Sequence, residues 1–202
     1  MSLYLTIHPE TPQARLITQA ASAIQSGAVV AMPTDATYVL ACQMGNKNAL
    51  EHIRQIRQLD ETHHFTLMCR DLSDLGMYAQ VNNTAYRFLK SLIPGPFTFI
   101  LPATREVPKR LLHAKRKTIG LRVPQNNICQ TLLENLGEPL LTSSMIMPQE
   151  DWPLVDPHDI HDRLERTLDV VIDGGNCGLE STTVIDLTGE LPEITRQGKG
   201  VL

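Results

Sequence analysis

The densest reactive chemistry in the sequence is cationic: Lys109, Arg110, His113, Lys115, Arg116, Lys117 and Arg122 fall within fourteen residues. Local concentration of this kind is what phosphate binding needs. A solvated basic loop has the same composition, so the run alone leaves both readings open. Arg122 says more, because it is embedded in Thr118-Ile119-Gly120-Leu121-Arg122-Val123-Pro124, where a guanidinium is costly to bury without an anionic partner. His158, Asp159, His161 and Asp162 could turn two imidazoles toward one metal ion, but Asp and His after a proline fit the capping and dipole chemistry of a helix start better. No metal site is expected. The pair His63-His64 diverges as adjacent side chains do. Gly174-Gly175-Asn176-Cys177-Gly178 leads into another apolar run and reads as a tight turn. Neither G-x-x-x-x-G-K-[ST] nor G-x-G-x-x-G occurs, so no phosphate-cradling fingerprint supports nucleotide binding. The order of residues alone defines no Ser-His-Asp or Cys-His arrangement.

The elements that must carry these residues alternate. Thr11-Pro12 followed by Leu16, Ile17, Ala20, Ala21 and Ile24 predicts a capped helix stopped by Gly27, and Ala28 to Met32 a buried strand. Pro33-Thr34-Asp35-Ala36-Thr37 then forms a loop at the carboxyl end of that strand, where open α/β sheets usually hold ligands. Helices are expected from Asn46, after Asp71, from about Asn83 to Leu92, from Asn127 to Leu136 and from Pro157 to about Thr167. Strands are expected at Phe65 to Cys69, Phe97 to Leu101, Thr118 to Val123, Leu140 to Ser144, Asp169 to Ile172, Thr182 to Leu187 and Glu193 to Arg196. The last two runs are joined by the turn-rich Thr-Gly-Glu-Leu-Pro, so the chain ends in a hairpin. This pattern predicts an α/β protein with a twisted open mixed sheet and flanking helices, a single domain over residues 1–202.

Composition agrees with that class. The chain has 202 residues, 42% of them hydrophobic, and a net charge of −4, too balanced for a protein that coats DNA. Cys42, Cys69, Cys129 and Cys177 are scattered without a C-x-x-C pair, as reduced and buried thiols would be. No basic segment leads into an apolar stretch at the N-terminus, and no run reaches the roughly 18 apolar residues of a membrane span, so a cytoplasmic protein without membrane partners is expected.

Five segments, taken in order, resemble the YrdC/YciO family: Pro33-Thr34-Asp35-Ala36-Thr37-Tyr38, Pro94-Gly95-Pro96-Phe97-Thr98, Gly120-Leu121-Arg122-Val123-Pro124, Leu141-Thr142-Ser143-Ser144 and Thr182-Thr183-Val184-Ile185-Asp186-Leu187. Ile56-Arg57-Gln58-Leu59 and Phe65-Thr66-Leu67-Met68-Cys69-Arg70-Asp71 look like its YciO branch. The resemblance implies a YrdC-like fold with a large basic concave face. It also implies kinship with threonylcarbamoyl-AMP synthases, which join L-threonine, bicarbonate and ATP with release of pyrophosphate for tRNA modification, and which are described as double-stranded RNA binders. On this resemblance Thr34, Arg57, Arg122, Ser181 and Thr182 are candidate substrate contacts, with Arg122 gripping an amino acid carboxylate. Thr118, Ser144 and Arg196 match nucleotide-contacting positions. Lys109, Arg110, Lys115, Arg116 and Lys117 are the candidate RNA contacts. ATP would enter as a substrate with Mg²⁺ held by phosphates and water, and no tightly bound cofactor is expected.

Two departures stand beside the matches. The family's synthases carry Lys-x-Arg after the second helix and Ser-x-Asn after the strand ending at Ser144, whereas this chain has Gln55-Ile56-Arg57 and Ser144-Met145-Ile146. A hydrogen bond to a charged group is worth about 1.5–3 kcal/mol, so losing an ammonium and an amide would slow triphosphate chemistry by roughly a hundredfold or more. The expectation is a YciO-type paralogue that binds RNA and an adenine nucleotide in one basic site, with weak or altered synthase activity. The alternative is a non-catalytic RNA-binding protein with a degenerate nucleotide pocket.

Overall fold

The computed structural model describes residues 2–202. β1 (Leu3–Thr6) leads to α1 (Ala14–Gln25), β2 (Val30–Met32) and β3 (Val39–Gln43). α2 (Lys47–Arg57), β4 (Thr66–Met68), α3 (Leu72–Tyr78), α4 (Asn83–Leu92) and β5 (Phe97–Pro102) follow. A 3-10 turn at Lys109–Leu111 precedes β6 (Thr118–Arg122), α5 (Asn127–Leu136), β7 (Leu140–Ser144) and α6 (Pro157–Leu164). β8 (Val170–Asp173), β9 (Thr183–Asp186) and β10 (Glu193–Arg196) complete the order. Among the described residues no helix is long and apolar enough to cross a membrane.

Helix starts are chemically explicit. α2 through α6 begin on Asn46, Asp71, Asn82, Asn126 and Asp156, whose side-chain oxygens accept first-turn N–H groups at 2.8–3.0 Å. Each satisfies a donor that the helix cannot. α1 differs from the sequence expectation: its start is Gln13, with no side-chain cap. Thr11 is engaged elsewhere, its N–H and hydroxyl both meeting His8 Nδ1, at 3.1 and 3.2 Å. Gly27, at φ +98, ends α1 as expected.

The ten strands form one mixed sheet in the order β1-β8-β2-β3-β7-β4-β6-β5-β9-β10. β1/β8, β2/β8, β4/β6 and β5/β9 pair in parallel, and the other neighbours are antiparallel, including the β9-β10 hairpin. Two strands go beyond the sequence reading. β1 lies next to β8, and β3 fills the place between β2 and β7. β1 is short and pairs only with the distant β8, whereas β3 pairs antiparallel with β2 across the 33–38 loop and with the distant β7 on its other edge.

Alternation along the strands builds two different faces. One buries Leu40, Leu67, Phe99, Leu121, Leu141 and Ile185 beneath α2, α3, α4 and α6. On the other, α1 and α5 cover Val30, Met32, Ala41, Val170 and Ile172, and this cluster stops at Met68 and Leu140. Beyond that limit the same face carries hydroxyls and small residues.

Candidate active site

The uncovered part of the second face is the floor of a cavity of about 280 Å³. Thr66 of β4, Thr118, Gly120 and Arg122 of β6, Thr98 and Ile100 of β5, Thr142 and Ser144 of β7, and Thr182 and Val184 at β9 supply it. The period of two explains most of the set, and Phe65, Ile119 and Ser143, of the opposite parity, also reach the cavity at one end of their strands. Thr98 and Thr182 hydroxyls share a hydrogen bond of 2.8 Å, and the Thr142 hydroxyl donates to the Thr66 carbonyl at 3.0 Å. Loops at one end of these strands raise the wall with His63 and His64 before β4, His113 and Arg116 before β6, and Ile146 after β7.

Four guanidinium groups line this space, and no carboxylate does. Arg57, in the last turn of α2, donates from Nε to the Ile146 carbonyl at 2.8 Å and from Nη1 to Ser143 Oγ at 2.5 Å. Arg196 of β10 donates to the Thr182 carbonyl at 2.9 Å. Burial holds both guanidiniums below the usual arginine pKa. Arg116 pairs with Asp186 at 2.9 Å. Burial pushes the Asp186 carboxyl upward, but the Thr188 hydroxyl and N–H together with Arg116 outweigh it and hold its pKa low. Arg122 pairs with Asp35, which the 33–37 loop folds onto it, and both side chains are at least nine-tenths buried. Asp35 also accepts the Gln125 N–H at 3.0 Å. The anionic partner that Arg122 requires is thus part of the chain itself, yet its Nε is buried without any partner.

The imidazoles are the missed half of the site. His64 stacks on His113 with centroids 4.9 Å apart, and His113 Nδ1 accepts the N–H groups of Lys115 and Arg116 at 3.3 and 3.1 Å. His63 packs edge-on against Phe65, over which Arg54 also sits. Burial, then the charges of Arg57 and His64, lower the His63 pKa to about 4, with Asp60 opposing them. Burial, then His113 and Arg116, lower that of His64. Both side chains of this adjacent pair nonetheless line the same cavity. His158 and His161 instead pack around Tyr4, stacked and edge-on.

Of the sequence candidates, Arg57, Thr118, Arg122, Ser144, Thr182 and Arg196 are brought together on the cavity. Thr34 is not. Its hydroxyl donates to the Thr37 carbonyl at 2.7 Å and accepts the Ala36 N–H at 3.1 Å, closing the loop that carries Asp35. Ser181 also stays off the cavity, which Thr182 and Val184 line. Gln55 is exposed, lies two positions from Arg57 on α2, about 200° around the helix, and does not line the cavity. Ile146 does line it. The basic run is divided. Arg116 reaches the cavity, Arg110 ties down the Met44 and Gly45 carbonyls, and Lys117 bonds to the Ala114 carbonyl. Lys109 and Lys115 are exposed, and neither forms an ion pair among the described residues.

The model of the family Sua5/YciO/YrdC, described as "Telomere recombination", matches residues 22–198. The chain belongs to this family. Within the family, the Escherichia coli protein YciO is 52% identical over 200 residues, covering 99% of this chain and 97% of that protein. The crystal structure of E. coli YciO superposes with a TM-score of 0.95 over 100% of this chain and 98% of that one. A bovine threonylcarbamoyl-AMP synthase is 31% identical over 184 residues, covering 84% of this chain and 62% of the synthase. The Sua5 of P. abyssi, solved in complex with L-threonine, has a TM-score of 0.89 at 25% identity, covering 98% of this chain and 58% of Sua5. The family's YrdC-like fold is therefore the frame on which this cavity is built.

Proposed function

We propose that the cavity binds an adenine nucleotide together with an amino acid carboxylate, L-threonine first among them, and performs a weakened or altered form of threonylcarbamoyl-AMP synthesis. The observation that carries this reading is the set of four arginines around a hydroxyl floor with no carboxylate on the wall. Such a lining favours anions, and each charge-assisted hydrogen bond adds about 1.5–3 kcal/mol. The buried, unpartnered Arg122 Nε suits a carboxylate oxygen. Arg57, Arg116 and Arg196 suit the phosphates, with Mg²⁺ carried by the phosphates and water. At about 280 Å³ the cavity is at the low end for ligand sites, so a bound nucleotide would extend through the mouth. There the exposed Lys109 and Lys115, with Arg110, Arg116 and Lys117, offer phosphate contacts to RNA, either tRNA or another duplex. Ile146 accounts for the weakened chemistry, since an apolar side chain there orients no phosphate.

Isothermal titration with ATP and Mg²⁺, with and without L-threonine and bicarbonate, tests this together with pyrophosphate release. The expected result is nucleotide binding that Arg196→Ala weakens, with turnover well below that of a family synthase assayed in parallel. Titration without binding heat at any ATP concentration, with no pyrophosphate formed, overturns it. Ile146 also favours a second reading, RNA binding around an idle pocket, for which Arg196→Ala would leave RNA affinity intact and ATP would not bind.

A further inference from the structure

We propose that His63, together with Ser143, is the proton acceptor of the cavity, taking the proton released when the ammonium group of a bound amino acid becomes a carbamate. The assignment rests on the reading of the cavity given above. In that step the nitrogen lone pair forms an N–C bond to bicarbonate and a C–O bond of bicarbonate breaks. One ammonium proton leaves with the departing hydroxide as water, and a second must be accepted. The lining has four guanidiniums, hydroxyls and apolar groups but no carboxylate. Among these side chains only the three imidazoles are neutral bases with a ring lone pair that can take a proton.

Geometry separates His63 from the other two. His64 is exposed and stacked on His113, whose Nδ1 is already occupied by two backbone N–H groups. His63 instead brings Nε2 to 3.4 Å from Ser143 Oγ. That oxygen accepts a hydrogen bond from Arg57 Nη1 at 2.5 Å, so its own hydrogen is free to point to Nε2. The resulting order is guanidinium, hydroxyl, imidazole. Facing His63 are Arg54 and Arg57 from α2, Asp60 from the following loop, His64 beside it and Ser143 from β7, a set with excess positive charge. Burial first, and then that surplus, keep the imidazole unprotonated before substrates bind, so its lone pair is free. Anionic substrates on the arginines would offset the surplus and strengthen it as a base, so proton uptake follows substrate occupancy.

The experiment compares pyrophosphate release by the parent protein, His63→Ala and His63→Asn, with L-threonine, bicarbonate and ATP–Mg²⁺, each with and without added imidazole. Both variants should lose roughly a hundredfold in kcat with little change in the KM for ATP. Free imidazole should restore part of the loss in His63→Ala, where it has room, and leave the parent unchanged. His63→Asn retains a polar partner for Ser143 and guards against a variant that fails to fold. Full activity in both variants, or a loss that follows KM and ignores imidazole, overturns the assignment while leaving the cavity's function standing. A parent that releases no pyrophosphate under any of these conditions overturns the synthase reading and this assignment with it.

Discussion

The two faces of the sheet over β4, β6, β5 and β9 are made by alternate residues of the same strands, yet they are built for different ends. Leu67, Leu121, Phe99 and Ile185 have no exposed surface and lie under helices. Their neighbours Thr66, Gly120, Thr98 and Val184 open onto the cavity. The first face supplies hydrophobic stabilisation, the second a polar surface that folding leaves without a cover. Charge is the exception on that floor: Arg122 faces the cavity, and it and its partner Asp35, from the 33–37 loop, are both at least nine-tenths buried.

The strongest test of that exception is Asp35→Ala. It leaves a buried guanidinium without its anion, and about 3–5 kcal/mol of unfolding free energy should disappear in urea titration. Pyrophosphate should restore more stability to the variant than it adds to the parent, because it would take the vacant place. On the apolar face, Leu121→Ala should cost about 2–5 kcal/mol. Thr118→Val, on the opposite face and three residues away in sequence, should stay within about 1 kcal/mol while weakening ATP binding. Comparable losses from the two would erase the distinction between the faces.

A smaller effect is expected from Arg196→Ala, which should weaken ATP binding by roughly tenfold to a hundredfold in calorimetry. The pH dependence of stability is gentler. The His63 pKa falls from 6.5 to about 4 on folding. Above 6.5 both states are neutral and nothing is gained or lost. As the pH drops from 6.5 toward about 4, the unfolded chain takes the proton first and stability declines. His63→Asn should flatten that part of the curve. Least in magnitude, Lys109→Ala with Lys115→Ala should lower the slope of RNA affinity against salt by about one for each lysine. An unchanged slope would place RNA elsewhere on the surface.

What the sequence made legible follows local chemistry. Caps such as Asn46 and Asp71, joined to three-and-four spacing, located the helices closely, while α6 ends early, at Leu164, and α1 starts late, at Ala14. β7 and β10 fall where the apolar runs put them, but β1 depends on the distant β8, and β3, although it pairs with the neighbouring β2, is completed by the distant β7. The site divides in the same way. Arg122 announced itself by burial in an apolar strand, although its partner is Asp35 rather than a ligand alone. Thr34 and Ser181 were placed on the site by motif, but the turn at Ala36 takes up Thr34, and Thr182 and Val184 line the cavity in place of Ser181. The histidines arrive on loops, and only tertiary structure sets His63 beside Ser143 or His64 on His113. Hydroxyls two apart, as in Thr142 and Ser144, were the one available sign that these strands have a polar side.

The position of β8 has a further consequence for how the molecule is made. Val170 pairs with both Leu3 and Val30, so β8 lies between two strands that were synthesised long before it. Until about residue 173 has emerged from the ribosome, β1 has no neighbour in the sheet and one edge of β2 stays bare. Contacts this distant in sequence slow the search for the native state, and unpaired edges invite pairing with other chains in the meantime. The nascent protein therefore spends most of its synthesis with that side of the sheet unfinished, and a single late strand closes it.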